Sequence, residues 1–73
     1  MMNNFHSISM TKCHLALLYF PESLPMVATN HLMRWIHGCP SLMEELEVAG
    51  YHRSQKFLTS RQVSLIVSHL GDP

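Results

Sequence analysis

Glycine is scarce in this 73-residue chain, and its three glycines lie far apart. Gly38, Gly50 and Gly71 each follow a helical pattern, a position where glycine commonly ends a helix. The chain therefore lacks a glycine-rich loop for binding phosphate, and it also lacks a serine or cysteine in a recognisable nucleophile turn. Because a chain this short rarely encloses a pocket that excludes water, we expect no enzyme, no cofactor and no small-molecule substrate.

Cysteine and long apolar runs are scarce too. Cys13 and Cys39 are the only two cysteines, whereas small secreted scaffolds usually carry more. The apolar run from Leu15 to Phe20 is too short for the core of a signal peptide or for a membrane span. These observations predict a cytoplasmic protein with both thiols reduced and with no membrane association.

Histidine and cysteine supply the ligand types for a zinc ion, but not at the spacing of a structural zinc motif. The candidate ligands are Cys13, His14, His37, Cys39 and His52. Neither Cys-x-x-Cys nor His-x-x-x-His occurs, and the pair His37 and Cys39 spans a predicted helix end. The pattern favours buried thiols and surface imidazoles over a metal site.

The chain has no excess of either charge. Its five basic and five acidic residues balance when histidine is neutral, which falls short of the strongly basic balance of a dedicated nucleic-acid-binding domain. The charges are unevenly distributed, however. Glu44, Glu45 and Glu47 lie together, as on a solvated helix face, while the segment 53–61 contains basic residues and no acid.

Helix start and stop signals predict two helices in the first half of the chain. Thr11 is placed to cap the first helix, and Pro21 ends it, because the residue before a proline is pushed out of the helical region. The second helix is predicted to begin near Ser23, with Pro25 in its first turn, and to end at Gly38.

The second half predicts two more helices with an extended segment between them. Pro40 opens the third helix, and Gly50 is placed to end it in a left-handed conformation. The segment 51–58 is predicted to be extended or looped. Thr59 and Gln62 form a capping box that starts the fourth helix.

These elements predict an all-α fold, a single small domain of about four helices at residues 11–73 with a helix-turn-helix-like N-terminal half. Residues 1–10 are predicted to be a disordered tail, and Met10 is a candidate natural start. Trp35 is expected at the centre of the core, so that Trp35→Ala costs about 3–5 kcal/mol. The other expected core residues are Leu15, Leu18, Ala28, Leu32, Ile36, Leu46, Tyr51, Phe57, Val63, Ile66, Val67 and Leu70.

Five segments in order carry a family resemblance: LALLYFP (15–21), LMRWI (32–36), LEVAGY (46–51), FLTSRQVSLI (57–66) and LGDP (70–73). In order and spacing they resemble a small bacterial family known as domain of unknown function 4248, over about residues 11–73. The resemblance implies a short helical protein without an established activity, often encoded near mobile-element or phage-like genes. It supplies no functional residues. Family members tend to carry arginine or lysine along the second helix, where this chain has Thr29, Asn30 and His31.

The first two predicted helices, joined by a short turn at residues 20–22, have the form of a helix-turn-helix motif. In that interpretation the second helix presents Asn30 and Arg34, with Thr29 beside them, to base edges in DNA. Asparagine pairs with adenine and arginine with guanine, each through two hydrogen bonds.

Arg53, Lys56 and Arg61 are expected to contact DNA phosphates, where positive charge provides affinity and register. The predicted function is therefore a DNA-associated accessory or regulatory protein of the mobile-element type. The zero net charge, and Pro21 in place of a glycine-containing turn, weigh against it.

The alternative is a protein-interaction adaptor or a homodimeric module that binds no nucleic acid. Met26 and Met33 are expected on the exposed side of the second helix, where flexible side chains form an adaptable docking surface. A dimer interface also buries surface that one small core cannot. Salt separates the two functions, because DNA binding weakens steeply with salt and apolar contact hardly responds.

Overall fold

The computed structural model describes residues 8–73 of the chain. Four helices and two short strands follow in the order β1 (Met10–Thr11), α1 (Lys12–Tyr19), α2 (Pro25–His37), α3 (Pro40–Val48), β2 (Phe57–Leu58) and α4 (Ser60–Leu70). The four predicted helices are confirmed. The all-α fold class is correct only in part, because the two strands pair into a small sheet and make the fold mostly α.

Three of the helices start at the residues that the sequence indicates. The Thr11 hydroxyl accepts a 3.0 Å hydrogen bond from the backbone N–H of His14 at the start of α1. Pro40 opens α3, where its missing N–H costs nothing because that group has no partner inside a helix. Thr59 and Gln62 form the predicted capping box of α4, each side chain accepting from the backbone N–H of the other at 3.1 Å.

Helix α2 begins at Pro25 rather than near Ser23. Ser23 instead donates its backbone N–H to the carbonyl of Phe20 at 3.1 Å, which closes a turn after α1. Leu24 takes the N-cap position without a side-chain hydrogen bond. The connection between α1 and α2 is therefore residues 20–24, longer than the predicted turn at 20–22.

The two strands join the beginning of the described chain to the segment before α4. Met10 pairs with Leu58 and Thr11 with Phe57 in an antiparallel register. Met10 is 6% exposed and belongs to the core, so the predicted tail at 1–10 was wrong at this residue. Residues 1–7 of that predicted tail lie outside the described residues.

The core gathers residues from every helix and both strands. Eight of the predicted core residues are buried, and Val67 and Leu70 are half-buried against them. Met10, Ala16, Leu42 and Leu58 also belong to the core. The buried residues from the predicted list are Leu15, Ala28, Leu32, Ile36, Leu46, Tyr51, Val63 and Ile66.

Trp35 is not the centre of the core, and its assignment was wrong. The buried line of α2 is Ala28, Leu32 and Ile36, and Trp35 lies about 60° around the helix from the middle of that line. It is 43% exposed. Trp35 packs edge-on against Phe20, with 4.9 Å between ring centroids, and so covers the connection that follows α1.

Leu18 and Phe57 were also predicted to be core residues, and they are 39% and 57% exposed. Phe57 precedes the buried Leu58 in β2. Because successive side chains of a strand point to opposite faces, burial of Leu58 turns Phe57 outwards. On the helix α1, Leu15 and Ala16 define the buried side, and Leu18 lies about 60° around the helix from Leu15 in the direction away from Ala16.

Gln62 is a buried polar residue that the pattern of apolar residues did not indicate. Its side chain is 2% exposed. Gln62 Oε1 accepts from Gln55 Nε2 at 2.7 Å and from the Thr59 N–H, and Gln62 Nε2 donates to the Ala49 carbonyl at 3.1 Å. The capping residue therefore also ties α4 to the end of α3 and to the segment that precedes β2.

Candidate functional site

Arg53 and Lys56 lie on the connection between α3 and β2, and both side chains are exposed. The backbone of this segment is held inwards at both residues. The Arg53 carbonyl accepts a 2.7 Å hydrogen bond from Lys12 Nζ, and the Lys56 carbonyl accepts a 2.9 Å bond from the Lys12 backbone N–H. These two carbonyls therefore anchor the segment to the start of α1.

Gln55 holds this segment in shape from within. The backbone N–H of His52 donates to Gln55 Oε1 at 2.8 Å, and the Gln55 N–H donates to the His52 carbonyl at 3.1 Å. Gln55 Nε2 also donates to the carbonyl of Phe57 at 2.8 Å. The positions of Arg53 and Lys56 are therefore set by a hydrogen-bonded turn rather than by an open loop.

A cavity of about 490 Å³ opens between this segment and the helices α1 and α2. Lys12, Arg53 and Lys56 line it, with Thr29 on the α2 side, and we call it the basic cavity. None of the five acidic residues is among the described residues that line it. A chain of zero net charge thus places three of its five basic residues around one cavity.

Lys12 is the buried basic residue among those that line the basic cavity. Its side chain is largely buried, and Nζ lies 5.1 Å from the centroid of the Tyr51 ring, within the range of a cation–π contact. Burial lowers the pKa of Lys12 from its ordinary value of 10.5. No sequence pattern indicated this role, because Lys12 follows a helix cap and belongs to no basic run.

The charge of the cavity extends to α2. Burial, and then the positive charges of Arg53 and Lys12, lower the pKa of His37 from its ordinary value. His37 therefore stays neutral more readily than a free histidine, because burial penalises its charged form and the positive charges of Arg53 and Lys12 add to that penalty.

Asn30 and Arg34 lie on the outer face of α2. Both are exposed, and a spacing of four residues places them one turn apart on the same face. Asn30 follows Thr29, which lines the basic cavity. The Thr29 hydroxyl donates to the Pro25 carbonyl at 2.9 Å and is therefore occupied within the helix. At 100° per residue, Asn30 lies 100° and Arg34 about 140° around the helix from Thr29, so the outer face of α2 is a different side of the helix from the one that lines the basic cavity.

Arg61 lies elsewhere. It lines a separate cavity of about 340 Å³ with Glu44 and Glu45, between α3 and α4, and we call it the acidic cavity. The five predicted contact residues therefore fall in three places: Arg53 and Lys56 line the basic cavity, Asn30 and Arg34 lie on the outer face of α2, and Arg61 lies beside carboxylates. Proximity along the sequence had grouped Arg61 with Arg53 and Lys56, and the capping box at Thr59 redirects the chain between them.

The two methionines of the predicted docking surface do not share an environment. Met26 is 75% exposed. Met33 is half-buried against the core, and its sulfur accepts a 3.6 Å hydrogen bond from the Tyr51 hydroxyl. The most exposed apolar residues in and next to α2 lie instead around its start, at Leu24, Met26 and Val27.

The five candidate zinc ligands do not come together. Within residues 8–73, no three histidine, cysteine or acidic side chains are arranged to hold a metal ion. Both cysteines are free thiols and half-buried. In the same part of the chain, no helix has the length and apolar character that a membrane span requires.

No curated protein and no solved structure matches the chain. A family model described as a domain of unknown function, DUF4248, matches residues 8–73, nearly the whole sequence. The match starts before the first strand and includes all four helices. The chain therefore belongs to the DUF4248 family.

Proposed function

We propose that this protein associates with DNA through the basic cavity and the outer face of α2. In this proposal α1 and α2 act as a helix-turn-helix-like pair. Asn30 and Arg34 face base edges in the major groove, while Arg53 and Lys56 contact phosphates beside it. Helix α2 has 13 residues, a length of about 20 Å that the major groove accepts.

One observation carries the proposal: basic residues from two distant parts of the chain meet around the basic cavity. Lys12 Nζ and the Arg53 carbonyl belong to residues 41 positions apart and are in direct contact. Three positive charges that share one concave surface attract phosphate more strongly than the same charges dispersed, since their potentials add. Zero net charge is then no objection, because the carboxylates Glu44 and Glu45 line a different cavity.

Binding to DNA through two or three cations has a low affinity that falls as the salt concentration rises. Contacts from two or three cations give a slope of log affinity against log salt of about −2 to −3. Raising the salt from about 50 to about 200 mM then weakens binding roughly twentyfold. The protein is accordingly an accessory that associates with DNA, and its affinity depends on ionic strength.

The proposal is tested by fluorescence anisotropy of a labelled duplex of mixed sequence at these two salt concentrations. The double variant Arg53→Gln/Lys56→Gln is expected to lose most of the binding and most of the salt slope. Arg61→Gln is the matched control, because it removes the same charge from the acidic cavity, and its affinity should equal that of the parent chain. Binding that is absent at low salt, or lost equally in the control, contradicts the proposal.

Base readout is tested separately by selection from random duplexes. Arg34→Ala is expected to relax the sequence preference, whereas Lys56→Ala is expected to weaken binding evenly on all sequences. Equal losses for both variants on every sequence would show that α2 reads no bases.

A second candidate, a protein-interaction or homodimeric module, is favoured by the exposed apolar residues at the start of α2. Leu24 is 72% exposed, Met26 75% and Val27 52%. Self-association through them should appear as an increased solution mass in sedimentation that high salt does not reverse. Val27→Gln is expected to reduce that mass. Val48→Gln, at an apolar residue of α3 that is 85% exposed, is the control.

A further inference from the structure

Cys39, His69 and Glu45 form a connected row of side chains at the junction of three helices. Cys39 is the N-cap residue of α3. Its sulfur lies 3.9 Å from His69 Nδ1, near the end of α4. The other ring nitrogen of His69, Nε2, lies 3.3 Å from Glu45 Oε2 on α3. A thiol, an imidazole and a carboxylate in this order are the parts of an activated nucleophile.

The carboxylate sets the direction in which the imidazole accepts a proton. An ionised Glu45 has only acceptor oxygens, so a hydrogen bond with it requires the proton of a neutral His69 to reside on Nε2. The lone pair of Nδ1 then faces the Cys39 sulfur. A carboxylate holds histidine in the same way at sites where the imidazole acts as a base or a metal ligand.

We propose that Cys39 is a reactive thiol that forms mixed disulfides with small disulfide compounds, with His69 as its base and Glu45 as the residue that positions His69. The proton of the Cys39 thiol moves to His69 Nδ1. The thiolate attacks one sulfur of the small disulfide, whose S–S bond breaks as the new S–S bond forms. The departing thiolate takes the proton back from His69, so the products are a mixed disulfide and one small thiol.

The surroundings of Cys39 suit this reaction. The thiol is half-buried, so an incoming disulfide reaches it from solvent. No side-chain hydrogen bond from Cys39 caps α3, and the described hydrogen-bond contact of its sulfur is with His69. The His69 ring lies between the Cys39 sulfur and the Glu45 carboxylate. Among residues 8–73, no three such side chains are arranged to bind one metal ion.

Cys13 is an internal control. It is a free thiol that is also half-buried, on α1 beside the basic cavity. The two thiols share the same protein and similar exposure, but only Cys39 has an imidazole among its described hydrogen-bond partners. A difference in their rates of reaction therefore measures the effect of His69 and Glu45 on Cys39 rather than a difference in accessibility.

The experiment treats the unmodified protein with half an equivalent of an aromatic disulfide, 5,5′-dithiobis(2-nitrobenzoate), and blocks the remaining thiols with a maleimide. Cleavage after Arg34 and Arg53 separates the two cysteines into different peptides for mass spectrometry. Cys39 is expected to carry about ten times more label than Cys13. In denaturant the two cysteines should carry equal label. Equal labelling in the folded protein would overturn the proposal.

Two variants then test the row itself in a Cys13→Ser background. His69→Gln is expected to slow the reaction of Cys39 about tenfold, to the rate of an unassisted thiol, and Glu45→Gln to slow it less. Glu45→Gln removes the charge of an exposed side chain and leaves the fold intact. It therefore still tests the role of the row if His69→Gln unfolds the protein. His14→Gln is the control for loss of an exposed histidine. Unchanged rates in both His69→Gln and Glu45→Gln would overturn the role of the row, and glutathione disulfide should reproduce the order of rates.

Discussion

The side-chain ammonium of Lys12 donates a 2.7 Å hydrogen bond to the backbone carbonyl of Arg53, which joins the start of α1 to the connection between α3 and β2. We expect Lys12→Met to keep a long side chain beside Tyr51 and to remove this bond. Amide exchange of residues 53–56 should then accelerate. The free energy of unfolding should change by less than about 1 kcal/mol, because the lost hydrogen bond is offset by relief from burying a charge.

Lys56→Met is the control for that experiment. The Lys56 side chain is exposed, and only its backbone carbonyl takes part in the link to Lys12. Its removal should leave the amide exchange of this segment unchanged. Equal acceleration in both variants would show that loss of charge, rather than loss of the Lys12 hydrogen bond, loosens the segment.

Gln62→Leu is expected to lower the free energy of unfolding by about 3 kcal/mol, although leucine is similar in size and more apolar. The substitution leaves the Thr59 N–H and the Ala49 carbonyl without their side-chain partner and removes one of the two acceptors of the Gln55 amide. Each unsatisfied buried group costs about 1–3 kcal/mol. Urea unfolding measures the difference. Ser64→Ala, on the exposed side of α4, should change stability little, and a loss below about 1 kcal/mol at Gln62 would mean that water replaces the network.

Trp35→Ala is expected to cost about 1–2 kcal/mol, less than a buried tryptophan would, because the side chain is 43% exposed and loses mainly its contacts with other rings. Leu32→Ala, three residues earlier and completely buried, should cost about 2–5 kcal/mol. Thermal unfolding of the two variants gives the order. A larger loss at Trp35 than at Leu32 would place Trp35 in the core after all.

Stability is expected to fall as the pH rises from about 10 to about 12. Burial, and then the negative charge of Asp72, raise the pKa of Tyr19 from 10.0 to about 12. The folded state therefore keeps the phenol proton in a range where the unfolded chain has lost it. The stabilisation from this group is complete below pH 10 and disappears as the pH passes the folded pKa.

Tyr19→Phe isolates this contribution, since urea unfolding at pH 9 and pH 11 should show a smaller loss in the variant. The chain has two tyrosines, so the absorbance of tyrosinate in the variant reports Tyr51 alone, whose pKa is also raised by burial. An equal loss of stability in the parent and the variant would exclude Tyr19 as its source.

The helices could be predicted from the sequence because their start and stop signals lie within or next to each helix. Thr11, Pro40 and the Thr59–Gln62 box act within one turn, and Gly50 adopts the left-handed φ of 84° that its position after α3 requires. The strands were not predictable in this way. Each has two residues, and they form because a partner arrives from the other end of the chain.

The predictions of the core and of the site failed where a residue's environment depends on tertiary packing. Aromatic size suggested a central position for Trp35, whereas the direction of α2 is fixed by Ala28, Leu32 and Ile36. Charge along the sequence grouped Arg61 with Arg53 and Lys56, but α4 turns it towards Glu45. Lys12 was missed for the converse reason, since its neighbours in space are distant in sequence.

The contacts of α1 have a consequence for the order in which the chain folds. Lys12 meets Arg53 across 41 positions, and the Tyr19 hydroxyl donates to the Gly71 carbonyl across 52. Closing such wide loops costs chain entropy before any contact compensates for it. The first helix therefore completes its environment only after the last helix has been synthesised, and the domain should appear in one cooperative step rather than grow from its N-terminus.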